Sequence, residues 1–283
     1  MDDKISAVVS KLQQRLGDDY EVRIVDVTKN NDTVKKGISV RKNGEKIGRI
    51  YYWNGEALEA FFGDVECSSL PDIDFEMSLK KQKDNIVAIL INAEANKERL
   101  KDMPHRIVEG LDLAVVYKII FKKDSEGITS SDINNGMMAM LRVTEDELYT
   151  IAMKNTKEYY APDIKSMTET LNDMMKESQD IVEDIPETLF ILSNETRQFG
   201  AICMLYPEFL KKFCVEKMID GVFVIPSSIH EVLLMIADKN KADVGYIRQM
   251  IKEVNNENVS EVERLSDSPY YYDVATDVLR IAE

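Results

Sequence analysis

Cysteine and long apolar runs are both scarce in this sequence. Among 283 residues only three are cysteine, and Cys67, Cys203 and Cys214 form no CxxC pair. We therefore expect neither a disulfide framework nor a zinc knuckle, and we predict reduced thiols in the cytoplasm. The longest aliphatic runs, 86–91 and 232–237, reach only about a third of the roughly 20 residues that a membrane span needs. Since the first residues also lack the pattern of a signal peptide, a cytoplasmic protein without membrane contact is predicted.

The motifs of metal, nucleotide and calcium sites are also missing. The chain has two histidines, and His230-Glu231 begins like a zinc-protease helix, but the required second histidine is replaced by Leu234. Glycine is limited to 12 residues, without a GxGxxG or GxxxxGK[ST] loop for phosphate. The acidic clusters do not follow the ligand order of a calcium loop. The sequence thus predicts no cofactor and no metal site.

Negative charge dominates the composition and is unevenly distributed. The chain carries 51 acidic and 36 basic residues, a net charge of −15, which repels phosphate backbones at long range. Residues 29–49 reverse this balance with seven basic groups against two acidic ones, and Tyr51, Tyr52 and Trp53 follow them. This basic segment, 29–53, is typical of a solvated sheet face with edge lysines. Its weaker alternative is nucleic-acid binding.

The hydrophobic pattern predicts an α+β protein of three parts. Residues 1–64 read as a small α+β domain: a helix over 4–16, an antiparallel meander with an Asn43-Gly44 turn, and a short helix over 56–62. Residues 65–104 read as a connector followed by a bridging helix from 76 to about 101, ended by Pro104. Residues 105–283 mix strands and helices without regular alternation, which favours a larger α+β domain over a doubly wound sheet.

Several local signals define elements within residues 105–283. Leu113 to Phe121 is apolar except for Lys118, as in a strand buried on both faces. Thr144 followed by Glu147 has the spacing of a helix capping box. Further strands are predicted over 188–192, 201–205, 222–225 and 232–236, further helices over 163–183, 207–218 and 244–254, and a terminal hairpin over 270–281.

The segment Pro226–Glu231 contains the residue types most suggestive of catalysis. Ser227, Ser228, His230 and Glu231 follow a predicted strand, where loops often carry function. In an enzyme, these four residues would form the site, joined by Asn194 or Arg197. The structural alternative is a turn in which a serine binds backbone amides and His230 is half-buried. No GxSxG elbow surrounds the serines, and residues two or three apart rarely align a hydroxyl with an imidazole, so the turn is favoured.

Three segments identify a family resemblance. Residues 111–117 (LDLAVVY), 226–232 (PSSIHEV) and 265–273 (LSDSPYYYD) resemble the markers of an uncharacterised bacterial family catalogued only as a domain of unknown function. The resemblance extends over roughly the whole chain and is strongest after residue 105. It implies a bacterial cytoplasmic protein, and it transfers no catalytic or binding residue.

The functional hypothesis favoured by these observations is a non-enzymatic module that binds another protein. It rests on the absence of a recognisable nucleophile–base pair, metal cluster or phosphate loop. The alternative is an enzyme of unassigned reaction with its site around Ser227, Ser228, His230 and Glu231. In that case these groups should gather around one partly apolar cleft.

Overall fold

The computed structural model describes residues 2–44, 48–53, 83–124, 127–175, 187–206 and 208–283. The chain divides into two compact units, Met1–Phe75 and Glu76–Glu283. Both combine helices with antiparallel sheet, which confirms the predicted α+β class. No helix within the described ranges is long and apolar enough to cross a bilayer.

The N-terminal unit is a helix packed on a three-stranded meander. Its described elements are α1 (Asp2–Leu16), β1 (Tyr20–Thr28), a 3-10 helix (Asn30–Asp32), β2 (Val34–Lys42) and β3 (Arg49–Tyr52). Ile5, Val8 and Leu12 recur at helical spacing along α1 and pack on Val22 and Ile38 of the sheet. The predicted helix and meander are confirmed, while the helix predicted over 56–62 lies outside the described residues.

The C-terminal unit contains the remaining described elements. Its strands are β4 (Ile86–Asn92), β5 (His105–Ile107), β6 (Leu113–Asp124), β7 (Gly127–Asp132), β8 (Pro162–Ser166), β9 (Leu189–Asn194), β10 (Gly221–Ile225), β11 (Val232–Met235), β12 (Tyr270–Asp273) and β13 (Val278–Ile281). Its helices are α2 (Lys97–Leu100), α3 (Asn135–Leu141), α4 (Glu145–Tyr159), α5 (Met167–Met175), α6 (Phe209–Lys217) and α7 (Val244–Asn258), with a 3-10 helix over Gly200–Leu205.

Two antiparallel sheets build this unit. One has the strand order β13-β12-β10-β11-β9-β8, and in the other β4 and β5 flank β6, which also pairs with β7. The inward side chains of both sheets form one buried cluster with α3, α4, α6 and the 3-10 helix. The opposite face of β10 and β12 packs on α7 through Phe223, Ile225 and Tyr271, which contact Ile247 and Ile251. The six-stranded sheet is therefore covered on both faces near β10.

The bridging helix predicted from 76 to about 101 is wrong over Ile86–Asn92, which form strand β4. This strand pairs with β6 from Ile86 to Asn92 and thus belongs to a sheet of the C-terminal unit. Ile86, Ala88 and Leu90 enter the main cluster, while Ile89 and Ile91 enter a second one. An apolar run that is buried on both faces has no diagnostic period, so its sequence did not distinguish helix from strand.

Local signals were more reliable at helix ends and hairpins. Thr144 and Glu147 form the predicted capping box at the start of α4, and the terminal hairpin pairs Tyr270–Asp273 with Val278–Ile281. By contrast, the strand predicted over 201–205 is the buried 3-10 helix. The helix predicted from 163 begins instead with strand β8 and becomes helical only at Met167.

Candidate functional site

The segment Pro226–Glu231 joins β10 to β11 and is tied to the chain that follows α7. The Ile229 amide donates a hydrogen bond to the Glu263 carbonyl at 2.8 Å, and the Ser266 amide donates to the Pro226 carbonyl at 3.2 Å. Ser228 also forms an isolated antiparallel bridge with Arg264. Backbone contacts on both sides therefore fix the conformation of this segment.

Both serine hydroxyls take part in this local structure. The Ser228 Oγ accepts hydrogen bonds from the amides of His230 at 3.1 Å and Glu231 at 3.3 Å. This arrangement is a serine turn, in which the side chain satisfies backbone donors. The Ser227 hydroxyl donates to Oδ1 of Asn255 on α7 at 3.4 Å. The structure thus places the two serines in the segment as turn and anchoring residues.

His230 is held by Phe199, a neighbour that the sequence did not indicate. The Phe199 amide donates to Nδ1 of His230 at 3.2 Å, and the two rings stack with centroids 5.6 Å apart. Nδ1 is therefore the acceptor nitrogen, and the proton of the neutral ring lies on Nε2. Nε2 lies 3.7 Å from a carboxylate oxygen of Glu263. Nδ1, the nitrogen that could accept a hydroxyl proton, therefore accepts the Phe199 amide and not either serine hydroxyl.

The other predicted site residues form two separate contacts. Glu231 and Arg197 lie 3.7 Å apart as an exposed ion pair, a kind that contributes about 0–1 kcal/mol to stability. Asn194 is fully buried, and its Oδ1 accepts the amides of Thr196 and Gln198. It shapes the turn after β9. The structure thus brings Arg197 to Glu231, whereas the Asn194 side chain serves its own turn.

Phe199 also connects His230 to a buried charge cluster. The Lys118 ammonium lies 5.6 Å from the centroid of the Phe199 ring. Lys118 and Arg99 both donate to the Asp132 carboxylate, at 2.5 and 2.6 Å. Burial opposes ionisation of Asp132, but these two cations outweigh it and lower its pKa to about 2. Lys118 and Asp132 are cross-strand neighbours in β6 and β7, whereas Arg99 comes from an earlier segment that no local pattern connects to them.

The three marker segments of the family resemblance meet in a polar network. The Asp112 carboxylate accepts the hydroxyls of Ser266 at 2.6 Å and Tyr270 at 2.5 Å. Asn255 donates to the Ser266 carbonyl at 3.1 Å and receives the Ser227 hydroxyl. Burial, and then the charge of Asp112, raises the pKa of the Tyr270 phenol well above its usual value. These hydrogen bonds link the ends of β6, β10 and β12.

The basic segment of the N-terminal unit has part of its charge paired. Arg41 forms an ion pair with Glu21 on the neighbouring strand, and Lys36 lies 3.9 Å from Asp26. The Lys29 ammonium lies 3.9 Å above the ring of Tyr52. Carboxylates of β1 thus offset part of the positive charge that the sequence placed on β2.

The two described cysteines are buried thiols. Burial raises the pKa of Cys203 to about 12 and that of Cys214 to about 11, so neither forms a reactive thiolate near neutral pH. Cys67 lies outside the described residues. Within the parts of the chain that the structure describes, histidine, cysteine and carboxylate side chains form no group of three suited to a metal ion.

A cavity lies on the α7 face of the six-stranded sheet, beside β10, β12 and β13. We call it the edge pocket; its volume is about 290 Å³, and its lining includes Phe223, Lys239, Val244, Tyr271, Arg280 and Ile281. Strand register places Phe223 beside Tyr271 and Tyr271 beside Arg280 on the same face of the sheet. Pairing within the terminal hairpin would have predicted the last of these neighbours. The cavity itself also requires α7 and the loop before it.

Helix α7 exposes more apolar surface than its packing requires. Its buried positions, Ile247, Ile251 and Asn255, recur every four residues. Tyr246 and Val254 flank this buried stripe on one side and are 68% and 45% exposed, with the half-buried Met250 between them. We call these three residues the α7 stripe. The opposite flank carries the polar Gln249, Lys252 and Asn256.

Comparison with known proteins identifies the family of this chain but assigns no reaction to it. No curated protein and no solved structure matches the chain. A family model matches residues 56–274 and is described as a family of unknown function, DUF5688. This match includes all three marker segments. The chain therefore belongs to the DUF5688 family.

Proposed function

We propose that the protein is a non-enzymatic module that binds another protein through the α7 stripe. The observation that carries this proposal is the exposure of Tyr246 and Val254 at helical spacing beside the buried face of α7. A surface helix normally needs one apolar face of about 100°. The apolar arc of α7 extends beyond that face on one side only, which favours a second apolar contact.

Acidic side chains suggest the chemistry of the partner. Glu253 and Glu257 are exposed beside the stripe, toward solvent from Met250. An amphipathic helix with an apolar face and flanking basic residues would match this surface, because its cations would face these carboxylates. The net charge of −15 would also attract such a partner at long range.

The contacts of Pro226–Glu231 favour this proposal over the enzyme alternative. Nucleophilic catalysis by serine needs an imidazole nitrogen free to take the hydroxyl proton. In this chain Nδ1 of His230 receives the Phe199 amide, and the Ser228 Oγ receives two backbone amides. The nucleic-acid alternative is less favoured as well, since Arg41 and Lys36 are paired with carboxylates.

A bacterial cytoplasmic location is part of the same proposal. Cys203 and Cys214 are free, buried thiols with raised pKa values. Unpaired thiols in a protein core are typical of reducing compartments.

The test is photo-crosslinking in cells of the native host. A photoreactive phenylalanine analogue would replace Tyr246 or Val254 and, as matched controls on the same helix, Gln249 or Asn256. We expect one discrete protein adduct from each stripe position and none from the polar flank. Equal adducts from both flanks, or no adduct from the stripe, would contradict the proposal.

A further inference from the structure

The edge pocket has an aromatic floor formed by paired strands. Phe223 and Tyr271 lie in neighbouring strands with ring centroids 4.9 Å apart and planes at 66°, an edge-to-face arrangement. Val244, the first residue of α7, and Ala282, which follows β13 and belongs to the same buried cluster as Phe223 and Tyr271, add aliphatic walls. This lining favours a flat apolar group, since ring edges and branched side chains pack well against a planar surface.

Positive charge stands at the rim of the same cavity. The Lys239 ammonium lies 4.8 Å from the centroid of the Tyr271 ring and 4.0 Å from the Asp273 carboxylate. Arg280 neighbours Tyr271 on the edge strand, and it makes no ion pair or side-chain hydrogen bond with the residues that the structure describes. A guanidinium offers a planar fork of donors that matches a carboxylate. The lining also includes the carboxylate of Glu283, and Lys239 lies beside Asp273, so Arg280 is the cation that we expect to receive the negative charge of a ligand.

The volume limits the size of an occupant. About 290 Å³ lies at the lower end of small-molecule sites and corresponds to the space of about ten water molecules. A single ring with a short acidic arm fits this space, whereas a nucleotide or a larger cofactor does not.

We propose that the edge pocket is a binding site for a small carboxylate with one aromatic ring. The ring packs against Tyr271, Val244 and Ala282, beneath which Phe223 is buried, and the carboxylate pairs with Arg280, assisted by Lys239. This site shares no residue with the α7 stripe, and its occupancy is independent of the protein contact proposed above.

The experiment is an NMR titration of the full, ¹⁵N-labelled chain with phenylacetate. The matched ligand is phenylacetamide, which keeps the shape but removes the charge. We expect saturable shifts of the amide signals around Tyr271 and Ile281 with phenylacetate, and affinity at least tenfold weaker for phenylacetamide. Arg280→Gln should weaken phenylacetate binding at least tenfold. The control Arg142→Gln removes an exposed arginine at the end of α3 and should leave binding unchanged.

Folding of the variants is checked in the same spectra. The Arg280 side chain is exposed and has no partner among the described residues, so Arg280→Gln should keep the dispersion of the wild-type spectrum, and Lys239→Gln provides a second, independent weakening. Several outcomes would overturn the proposal: the absence of saturable shifts at the pocket, equal affinity for the acid and the amide, or full affinity in Arg280→Gln. The photo-crosslinking result at Tyr246 changes none of these outcomes.

Discussion

Strand β10 connects two regions that differ in residue types and in how many of their polar side chains already have partners. Beyond its end, Pro226–Glu231 contains serines, a histidine and a carboxylate, and its side chains contact the turn itself, Arg197, Phe199, Glu263 or α7. Within β10, Phe223 lies in a cross-strand row with Tyr271 and Arg280. Arg280 makes no ion pair with the described residues. The region richer in reactive residue types is thus the one with less capacity left to bind a ligand.

The cost of burying polar groups explains this contrast. A hydroxyl or amide removed from water without a partner costs roughly 1–3 kcal/mol. Polar side chains in a tightly packed turn therefore form their hydrogen bonds within the turn, as Ser228 and Asn194 do. A binding site instead needs polar groups that still have hydrogen bonds or ion pairs to form. Such groups occur at the edge of a sheet, and β13 is an edge strand that pairs with β12 only.

The largest predicted effect breaks the packing around His230. A Cβ added to Gly200 would collide with the Ser193 Oγ and approach the His230 carbonyl oxygen to 2.6 Å and the Asn194 nitrogen to 2.8 Å. Since backbone atoms cannot yield easily, Gly200→Ala should lower the free energy of unfolding by about 3 kcal/mol. Urea denaturation followed by circular dichroism measures this loss.

Gly136→Ala is the matched control for this substitution. Its added Cβ would meet only the Asn134 Oδ1, at 3.4 Å, and alanine favours a helix by up to about 1 kcal/mol over glycine. The control should unfold at the wild-type midpoint or above it. If Gly200→Ala shared that midpoint, the tight contact between the β9 turn and the His230 segment would be disproved.

A somewhat smaller effect is expected from the charge cluster beneath Phe199. Asp132→Asn leaves Arg99 and Lys118, 9% and 15% exposed, without their carboxylate. The loss should be about 2–3 kcal/mol at pH 7, because an uncompensated buried charge is costly. Urea melts of wild type and variant at several pH values measure it.

The pH dependence of this difference has a defined sign. The pKa of Asp132 falls to about 2 in the folded chain, against about 3.9 for an unperturbed aspartate. The stabilisation from its ionised form is therefore complete above about pH 4 and is lost as the pH falls toward 2. The gap between wild type and Asp132→Asn should be constant from pH 7 to 5 and shrink below 4. A gap that stays constant at pH 3 would contradict the ion-pair assignment.

The smallest effect concerns His230 and tests whether it is a structural residue of the turn or a residue of a functional site. His230→Ala removes the acceptor of the Phe199 amide and the stacked ring, and should cost about 1–2 kcal/mol. His230→Asn can place its Oδ1 near the former Nδ1 position, so it should recover part of this loss. His230→Gln extends toward the former Nε2 and should recover less. Unchanged urea midpoints in all three variants would shift the interpretation toward a site residue.

Much of the fold was predictable because its signals are local. The capping box of Thr144 and Glu147 satisfies backbone donors within one turn, and the Tyr270–Ile281 hairpin follows from adjacent strands and a short turn. The spacing of Ile5, Val8 and Leu12 likewise defined α1. The markers at 111–117, 226–232 and 265–273 were enough for the family, which the match over 56–274 confirms. Each of these features depends on residues close together in the chain.

Tertiary structure alone decided the features that depend on distant partners. Ile86–Ile91 became a strand because β6 supplied its hydrogen bonds and two clusters covered its faces. Nδ1 of His230 accepts a hydrogen bond because the fold brings the Phe199 amide to it, from a segment 31 positions earlier. The edge pocket exists because α7 and β13 meet beside Phe223 and Tyr271. Burial and hydrogen-bond satisfaction are properties of a packed neighbourhood, and the identity of a residue specifies only what it could offer to that neighbourhood.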